Sequence, residues 1–578
     1  VHAAVEPARL SLFRLTPEEE DWLSALPTLR ASNNWVVGPG RSSSGRPILA
    51  NDPHLGHALP GIWYEAHLST PTLEVAGVTV PGFPSVVIGH NRRVAWGFTN
   101  VMQDAADFFV ETLDEAGTKV LHRGQWVDLA TRTETIAVKG GPPVALTVRA
   151  TPHGPIVSDV MEGETRALSY RWTFAAATHA SEVEGFHLLN RARDWTEFRA
   201  ALRRFGAAAQ NAVYADADGH IGLQTTGAFP RLRGQTEGTR LREGADGSEE
   251  WDGFVPFEEH PASFDPPEGF LASANNVTVP APTPFYISSQ WEPVDRIVRI
   301  REMLREKDRL SVADFKRMQA DVTLVSAREL AGPLVEAARP LAAEGSLYAE
   351  ALSLLEGWDG VMRADAAAPS VFSTFYRRLF YAVFEDEMGP EVARGYRLKA
   401  NLSAVMMRAV LERGPERWFD RVDTAPVEDR QVILRAAFRD AVDELSHRLG
   451  GRPAGWAWGR LHTLELVHPV GRASPLLARY FNRGPFPVPG HNSTVNKMEF
   501  DEADFRVRHG PSVRRITDFA DLDAALSVLP GGQSGIPASP HYDDQTALWL
   551  AGEYHPLPMD RSRVEAMAEA RLRLEPRR

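Results

Sequence analysis

The 578-residue chain contains no cysteine. That excludes a cysteine nucleophile, a thiolate metal centre and any disulfide. It has no run of eighteen apolar residues, so no segment reads as a membrane-spanning helix. Lysine is scarce: only six of the 63 basic residues are Lys, and no Lys/Arg stripe forms. With a formal charge of −13, the chain lacks the footprint of a nucleic-acid binder. Several hydrolase and nucleotide motifs are also missing. There is no G-x-S-x-G, since "GGQSG" at 531–535 fails the spacing, and no H-E-x-x-H, Walker A or G-x-G-x-x-G. His54 and His57 form an H-x-x-H without a carboxylate at metal-ligand spacing, and they read as a loop between strands. The chain begins with Val and shows no signal-peptide pattern, so a processed or truncated product is expected.

What is present divides by texture. Residues 1–31 are polar and Leu-dotted. "TPEEEDWLSAL" predicts a helix with Thr16 as N-cap and Pro17 at N1. Residues 32–295 are expected to form a sheet-rich core; from Ser32 to about Asp159, short β-rich runs alternate with Gly, Pro, Asn and Asp, as in "NNWVVGPG", "RPILANDPH", "RVAWGFTN" and "VALTVRATPHGPIVSD". "AVYADADGHIGLQTTG" predicts a hairpin turning at Asp218-Gly219. Residues 296–450 carry helical periodicity, as in "DRIVRIREMLREKDRL" and "SVADFKRMQADV". Strands return over 451–578 in "GWAWGRLHTLELVHP", "HNSTVNKMEF" and "HGPSVRRITDF", followed by a C-terminal helix at "SRVEAMAEARLRL". The order strands, helices, strands predicts an α+β fold with layered sheets.

One long segment carries the functional signal: "ASNNWVVGPGRSSSGRPILANDPHLG", then "IWYEAHL", "GFPSVVIGHNRRVAWGFTN" and "DAADFF". Further pieces follow in order: "YADADGHIG", "LASANN", "WEPVDRI", "GRLHTLELVHP", "TVN" and "GQSGIPASPHYDDQTALWLAGEY". Together they resemble the penicillin acylase family of N-terminal-nucleophile hydrolases. The resemblance implies a four-layer αββα sandwich, here with a helical insertion. It also implies a precursor that cuts itself into α and β chains, the β chain starting with its nucleophile. That residue matches Ser32, and residues 1–31 match the end of the α chain or a spacer. With so short an upstream piece, this chain alone is expected to be aggregation-prone, inactive or dependent on a separate α polypeptide.

The chemistry explains why a terminal serine suffices. A serine hydroxyl is a weak nucleophile that needs an adjacent base. A free α-amine titrates at about 7.7–8.0, far below a lysine amine, so cutting before Ser32 supplies nucleophile and base in one residue. Read without the family, Ser32 is only a strand-starting serine. The resemblance places oxyanion donors at the side chain of Asn275 and the backbone N–H of Asn100, with Asn276 one residue out of register. It places His54 against the terminal amine, partly through its backbone carbonyl, and Arg296 in the network that holds the site. Leu55, Ile88 and Phe98 fall at acyl-pocket positions, and all are apolar. Asp104, the Ala106 carbonyl and Asp107 match part of a structural calcium site, although "APTPFYISS" lacks the further acidic ligand. No organic cofactor is implied. The expected activity is cleavage of N-acyl amides such as penicillin side chains. An acyl-homoserine lactone acylase and an inactive fragment lacking its α chain stand as alternatives. The expected location is periplasmic or extracellular.

Overall fold

The computed structural model describes residues 31–161, 163–177, 180–234, 238–278, 285–397, 400–501 and 503–575. The helix expected at 16–26 lies outside them. Two sheets organise the molecule. The first has ten strands, and at its centre Ala31–Val37 and Ile48–Gly56 pair antiparallel, Ser32 opposite Pro53 and Ala31 opposite His54. The second has seven strands, in which Val94–Asn100 lies between Ile88–Asn91 and Gln210–Asp216.

The strand Ala31–Val37 is buried along its whole length, which is why "ASNNWVV" shows no polar–apolar alternation. Successive side chains nonetheless point to opposite faces. Trp35 and Val37 pack with Ile297, Ile300, Phe315 and Met318 from the helices Asp295–Arg305 and Val312–Gln319. Val36 packs the other way, with Ala95, Val213 and Ile221 of the second sheet. The far face of that second sheet is covered by Glu182–Leu189 and Trp195–Leu202, through Leu189, Phe198 and Leu202. Helix, sheet, sheet, helix is the αββα order.

Close approach of the sheets depends on Gly97. A Cβ there would stand 2.6 Å from Cβ of Asn51, so no larger residue fits. Asn51 uses that space to clamp the sheets together. Its Nδ2 donates to Asn33 O at 2.6 Å and Phe98 O at 3.0 Å, and its Oδ1 accepts from Phe98 N at 2.9 Å.

The helical stretch adds a core of its own. Phe372, Phe375, Leu379 and Val383 of Ala368–Met388 pack against Leu434, Phe438 and Leu445 of Arg430–Leu449. Three expectations need correction. The helices Glu182–Leu189 and Trp195–Leu202 interrupt the span expected to be a sheet-rich core, each started by a side-chain cap, Ser181 and Asp194. The C-terminal helix covers only Arg561–Met567; Leu572 and Leu574 beyond it are 83% and 84% exposed, with no core to order them. "HNSTVNKMEF" contributes only Glu499–Phe500 as strand, because Thr494, Asn496 and His491 bond to one another locally instead. Among the described residues no helix is long and apolar enough to cross a membrane.

Candidate active site

Ser32 sits one residue inside the central strand and is buried. Alternation turns its side chain toward the second sheet, together with Asn34 and Val36. Its hydroxyl donates to the carbonyl of Ala31 at 2.6 Å. Here Ser32 is an internal residue, and its amide N–H donates to Asn275 Oδ1 at 2.7 Å.

Asn275 follows the short strand Phe270–Ser273, which pairs with the Ser32 strand. It is fully buried and held at φ 63°, a left-handed conformation that Asn tolerates better than most residues. Its Nδ2 donates to Asn100 O at 2.8 Å. The Asn100 backbone therefore lies beside the same side chain that contacts Ser32. Asn276 does different work: its Oδ1 accepts from Ala274 N at 3.0 Å and its Nδ2 donates to Val277 O at 2.7 Å, which fixes the turn.

Arg296 enters from the opposite side, near the start of the helix Asp295–Arg305. It is 1% exposed, so it is no surface ion pair. One guanidinium nitrogen donates to Ser32 O at 2.8 Å and Asn33 Oδ1 at 2.7 Å; the other donates to Asn275 Oδ1 at 2.9 Å and Glu292 Oε2 at 3.1 Å. Glu292 also takes Lys497 Nζ at 3.1 Å. The planar fork of an arginine is what lets one side chain hold four acceptors.

His54 is placed otherwise than expected. Its backbone lies opposite Ala31, but its ring is on the helix-facing side of the sheet, away from the Ser32 hydroxyl. Nε2 stands 2.7 Å from Asp52 Oδ2 and 3.3 Å from Asn33 Nδ2. It reaches the site only through Asn33 and Arg296. Burial raises the Asp52 carboxyl to about 7, while Gln319, donating to it at 3.0 Å, and Arg514 oppose the shift. Burial, then the Arg296 charge, pushes the His54 ring well below its usual range. Near neutrality Asp52 is therefore partly protonated and the His54 ring is neutral. His54 lies within the strand Ile48–Gly56, and His57 just beyond it packs edge-on against Trp549, so neither sits in a free loop.

Leu55, Ile88 and Phe98 are buried in one apolar cluster. Phe98 meets Phe186 edge-on at 5.9 Å and lies 6.1 Å from Phe205, so helix-layer aromatics, absent from the sequence reading, help shape that region.

Asp104 and Asp107 also come together. Burial first, then the Asp107 charge, raises the Asp104 carboxyl to about 6. Asp107, however, is already matched by the buried Arg242 at 2.7 Å and by the Trp251 indole at 2.6 Å. Both contacts fall on Asp107 Oδ2, which leaves Asp107 Oδ1, the Asp104 carboxylate and the Ala106 carbonyl, against the six to eight oxygens calcium takes. The described residues do not complete a calcium shell, and residues 279–284 of the neighbouring segment lie outside them.

Asn33, Asn51, Asp52, Glu292, Gln319 and Lys497 were not singled out in the sequence. The only local signal was the polar run in "SNN" and "NDPH" within otherwise apolar strands.

Comparison with known proteins first gives the class, an enzyme that hydrolyses amides of acyl compounds. The penicillin amidase family profile matches residues 2–566. The chain is 32% identical to acyl-homoserine lactone acylase QuiP of Pseudomonas aeruginosa, over 95% of this chain and 69% of that protein. It is 32% identical to the penicillin acylase 2 proenzyme of Pseudomonas sp. strain SE83, over 94% and 69%, and 27% identical to Escherichia coli penicillin G acylase, over 95% and 66%. A thermostable penicillin G acylase structure from Alcaligenes faecalis shares the fold at TM-score 0.72 and 23% identity, covering 94% of this chain and all of that one. The chain belongs to the penicillin amidase family.

Proposed function

We propose that Ser32 is the nucleophile of an N-acyl amide hydrolase, and that the enzyme makes it by cutting its own Ala31–Ser32 bond. The observation that carries this reading is the convergence on one residue. Asn275 takes the Ser32 N–H, Arg296 takes its carbonyl, and its hydroxyl lies against the Ala31 carbonyl. In the cut, Ser32 Oγ bonds to the Ala31 carbonyl carbon, the C–N bond breaks, and the nitrogen takes the hydroxyl proton. Water then hydrolyses the ester, leaving a carboxylate on Ala31 and a free amine on Ser32. An α polypeptide released by the same cut is the partner this reading implies.

In turnover, Ser32 Oγ attacks the substrate carbonyl and passes its proton, through a water, to its own amine. Oxyanion charge is met by the Asn100 N–H and Asn275 Nδ2, donors of the kind that stabilise such intermediates by several kcal/mol. The leaving amine takes the proton, and water releases the acid from the acyl-enzyme. Asn275 Oδ1 and Arg296 position the amine, and the nearby guanidinium and burial keep it neutral near pH 7. No step uses a metal. The apolar Leu55–Ile88–Phe98 region suits an aromatic or aliphatic acyl group, as in penicillin side-chain amides. Hydrolysis of the side-chain amide of acyl-homoserine lactones is the second reading, favoured by the likeness to QuiP. The enzyme is proposed to work in the periplasm or outside the cell.

The test is Ser32→Ala in the full-length gene, with N-terminal sequencing of the wild type. One uncut, inactive product and a wild-type β chain starting at Ser32 are expected. A β chain starting elsewhere sinks the assignment. A panel of phenylacetyl, phenoxyacetyl and long-chain acyl amides, with an acyl-homoserine lactone, separates the two substrate readings.

A further inference from the structure

Away from the Ser32 site, three side chains distant in sequence meet beside the three-stranded sheet built from Ala106–Glu111, Ala167–Trp172 and Arg242–Glu243. His122 ends one strand of the hairpin Lys119–His122/Gln125–Asp128. His153 lies in the turn between Val144–Thr151 and Gly154–Pro155. Glu250 precedes the strand Trp251–Phe254. Their ligand atoms all lie within 4.8 Å of one another. His122 Nδ1 is 3.6 Å, and His153 Nε2 3.2 Å, from the same oxygen, Oε1 of Glu250.

We infer that His122, His153 and Glu250 form a zinc site that ties the 119–128 hairpin to this sheet. Zinc binds imidazole nitrogen and carboxylate oxygen at about 2.0–2.2 Å, in a tetrahedron whose edges are then about 3.3–3.5 Å. The two measured separations bracket that edge. Two imidazoles and a carboxylate are a donor set that suits zinc, and the fourth position falls to water.

The support around His153 is of the kind that orients metal ligands. Its Nδ1 stands 2.8 Å from Glu111 Oε1, and that oxygen also accepts from Thr151 Oγ1 at 2.7 Å and Ser169 Oγ at 2.6 Å. The ring stacks on Phe109 at 4.1 Å, nearly parallel. With Nδ1 facing Glu111, the His153 ring turns Nε2 toward Glu250 Oε1. His122 Nδ1 is buried without a hydrogen-bond partner. Arg123 and Arg171 approach Glu250 at 3.5 Å. Arg123 is 59% exposed and able to swing away, while Arg171 lies over the Trp251 ring.

The experiment uses the full chain, stripped with a chelator and titrated with zinc sulfate against a chromophoric competitor. One zinc per chain with micromolar or tighter affinity is expected. Cobalt(II) should give the visible bands of a four-coordinate site. His122→Ala, at a partly exposed hairpin position, and Glu250→Gln should each weaken binding at least tenfold. Glu111→Gln should weaken it about 10- to 100-fold, as lost second-layer partners do. Circular dichroism identifies any variant that fails to fold, and the remaining variants then decide. Absence of stoichiometric binding overturns the inference and leaves His153 held by its contacts to Glu111 and Glu250 alone. Equal zinc affinity in wild type and folded His122→Ala or Glu250→Gln also overturns it, since the ion then lies elsewhere.

Discussion

Asn275 gives the sharpest test of the site, because its side chain and its backbone make separable contributions. The side chain links Ser32, Arg296 and Asn100 through bonds of 2.7, 2.9 and 2.8 Å. The backbone stands at φ 63°. Replacement by Ala deletes the linking amide and also puts a Cβ without polar compensation into a left-handed conformation, at a cost of about 1–2 kcal/mol. Replacement by Gly deletes the same amide and removes the backbone cost. Each variant strands three buried polar partners, together worth a few kcal/mol at roughly 1 kcal/mol each. Asn275→Ala is therefore expected to be destabilised by several kcal/mol, and Asn275→Gly by about 1–2 kcal/mol less. Both should lose the same catalytic factor, about 10²–10³ in kcat, equal to about 2.7–4 kcal/mol of transition-state stabilisation. Urea unfolding reads the first quantity, and steady-state hydrolysis of a phenylacetyl amide, corrected for the fraction processed, reads the second. A Gly variant with kcat within threefold of wild type would refute the oxyanion role. A full loss in Asn276→Ala, with Asn275→Gly active, would move that role one residue along.

Further outcomes follow from the same contacts. Arg296→Leu removes a buried positive charge beside the Ser32 amine, which raises the amine pKa and should move the rising limb of the kcat/KM profile to higher pH; Arg296→Lys should restore most of it, and coincident profiles in folded Leu and wild-type enzymes would remove Arg296 from the network. Asp52 binds its proton more tightly folded, at about 7, than its ordinary 3.8, so its contribution to stability is full below about 3.8, falls as pH rises toward 7 and is constant above. Asp52→Asn should consequently gain about 2–3 kcal/mol relative to wild type between pH 5 and 8; parallel unfolding curves at the two pH values would count against the shifted carboxyl. Gly97→Ala places a methyl 2.6 Å from Asn51 Cβ and should cost about 1–3 kcal/mol by overpacking; unchanged urea unfolding would show that the two sheets have room to separate.

The order of strands, the helical middle and the position of Ser32 were legible in the sequence, because each is written in contiguous residues. Gly, Pro and Asn punctuation marks strand ends, and the i, i+3, i+4 spacing of "DRIVRIREMLR" marks a helix. Ser32, Asn275 and Arg296 were legible as separate matches to a family. What joins them is tertiary. Arg296 and Ser32 are 264 positions apart and meet at 2.8 Å, and no local pattern encodes a contact between a helix start and a strand in another layer. The face of each side chain was also undecided. "SNN" and "NDPH" are buried on both sides, so only the strand register shows that Ser32 looks toward the second sheet while Asn33, Asp52 and His54 look toward the helices. That one-residue alternation takes the His54 ring away from the Ser32 hydroxyl and gives it to Asp52. The cluster of His122, His153 and Glu250 lies further still from sequence reading. Its members have no common motif, and they become neighbours only because a hairpin, a turn and a strand end fold onto the same small sheet.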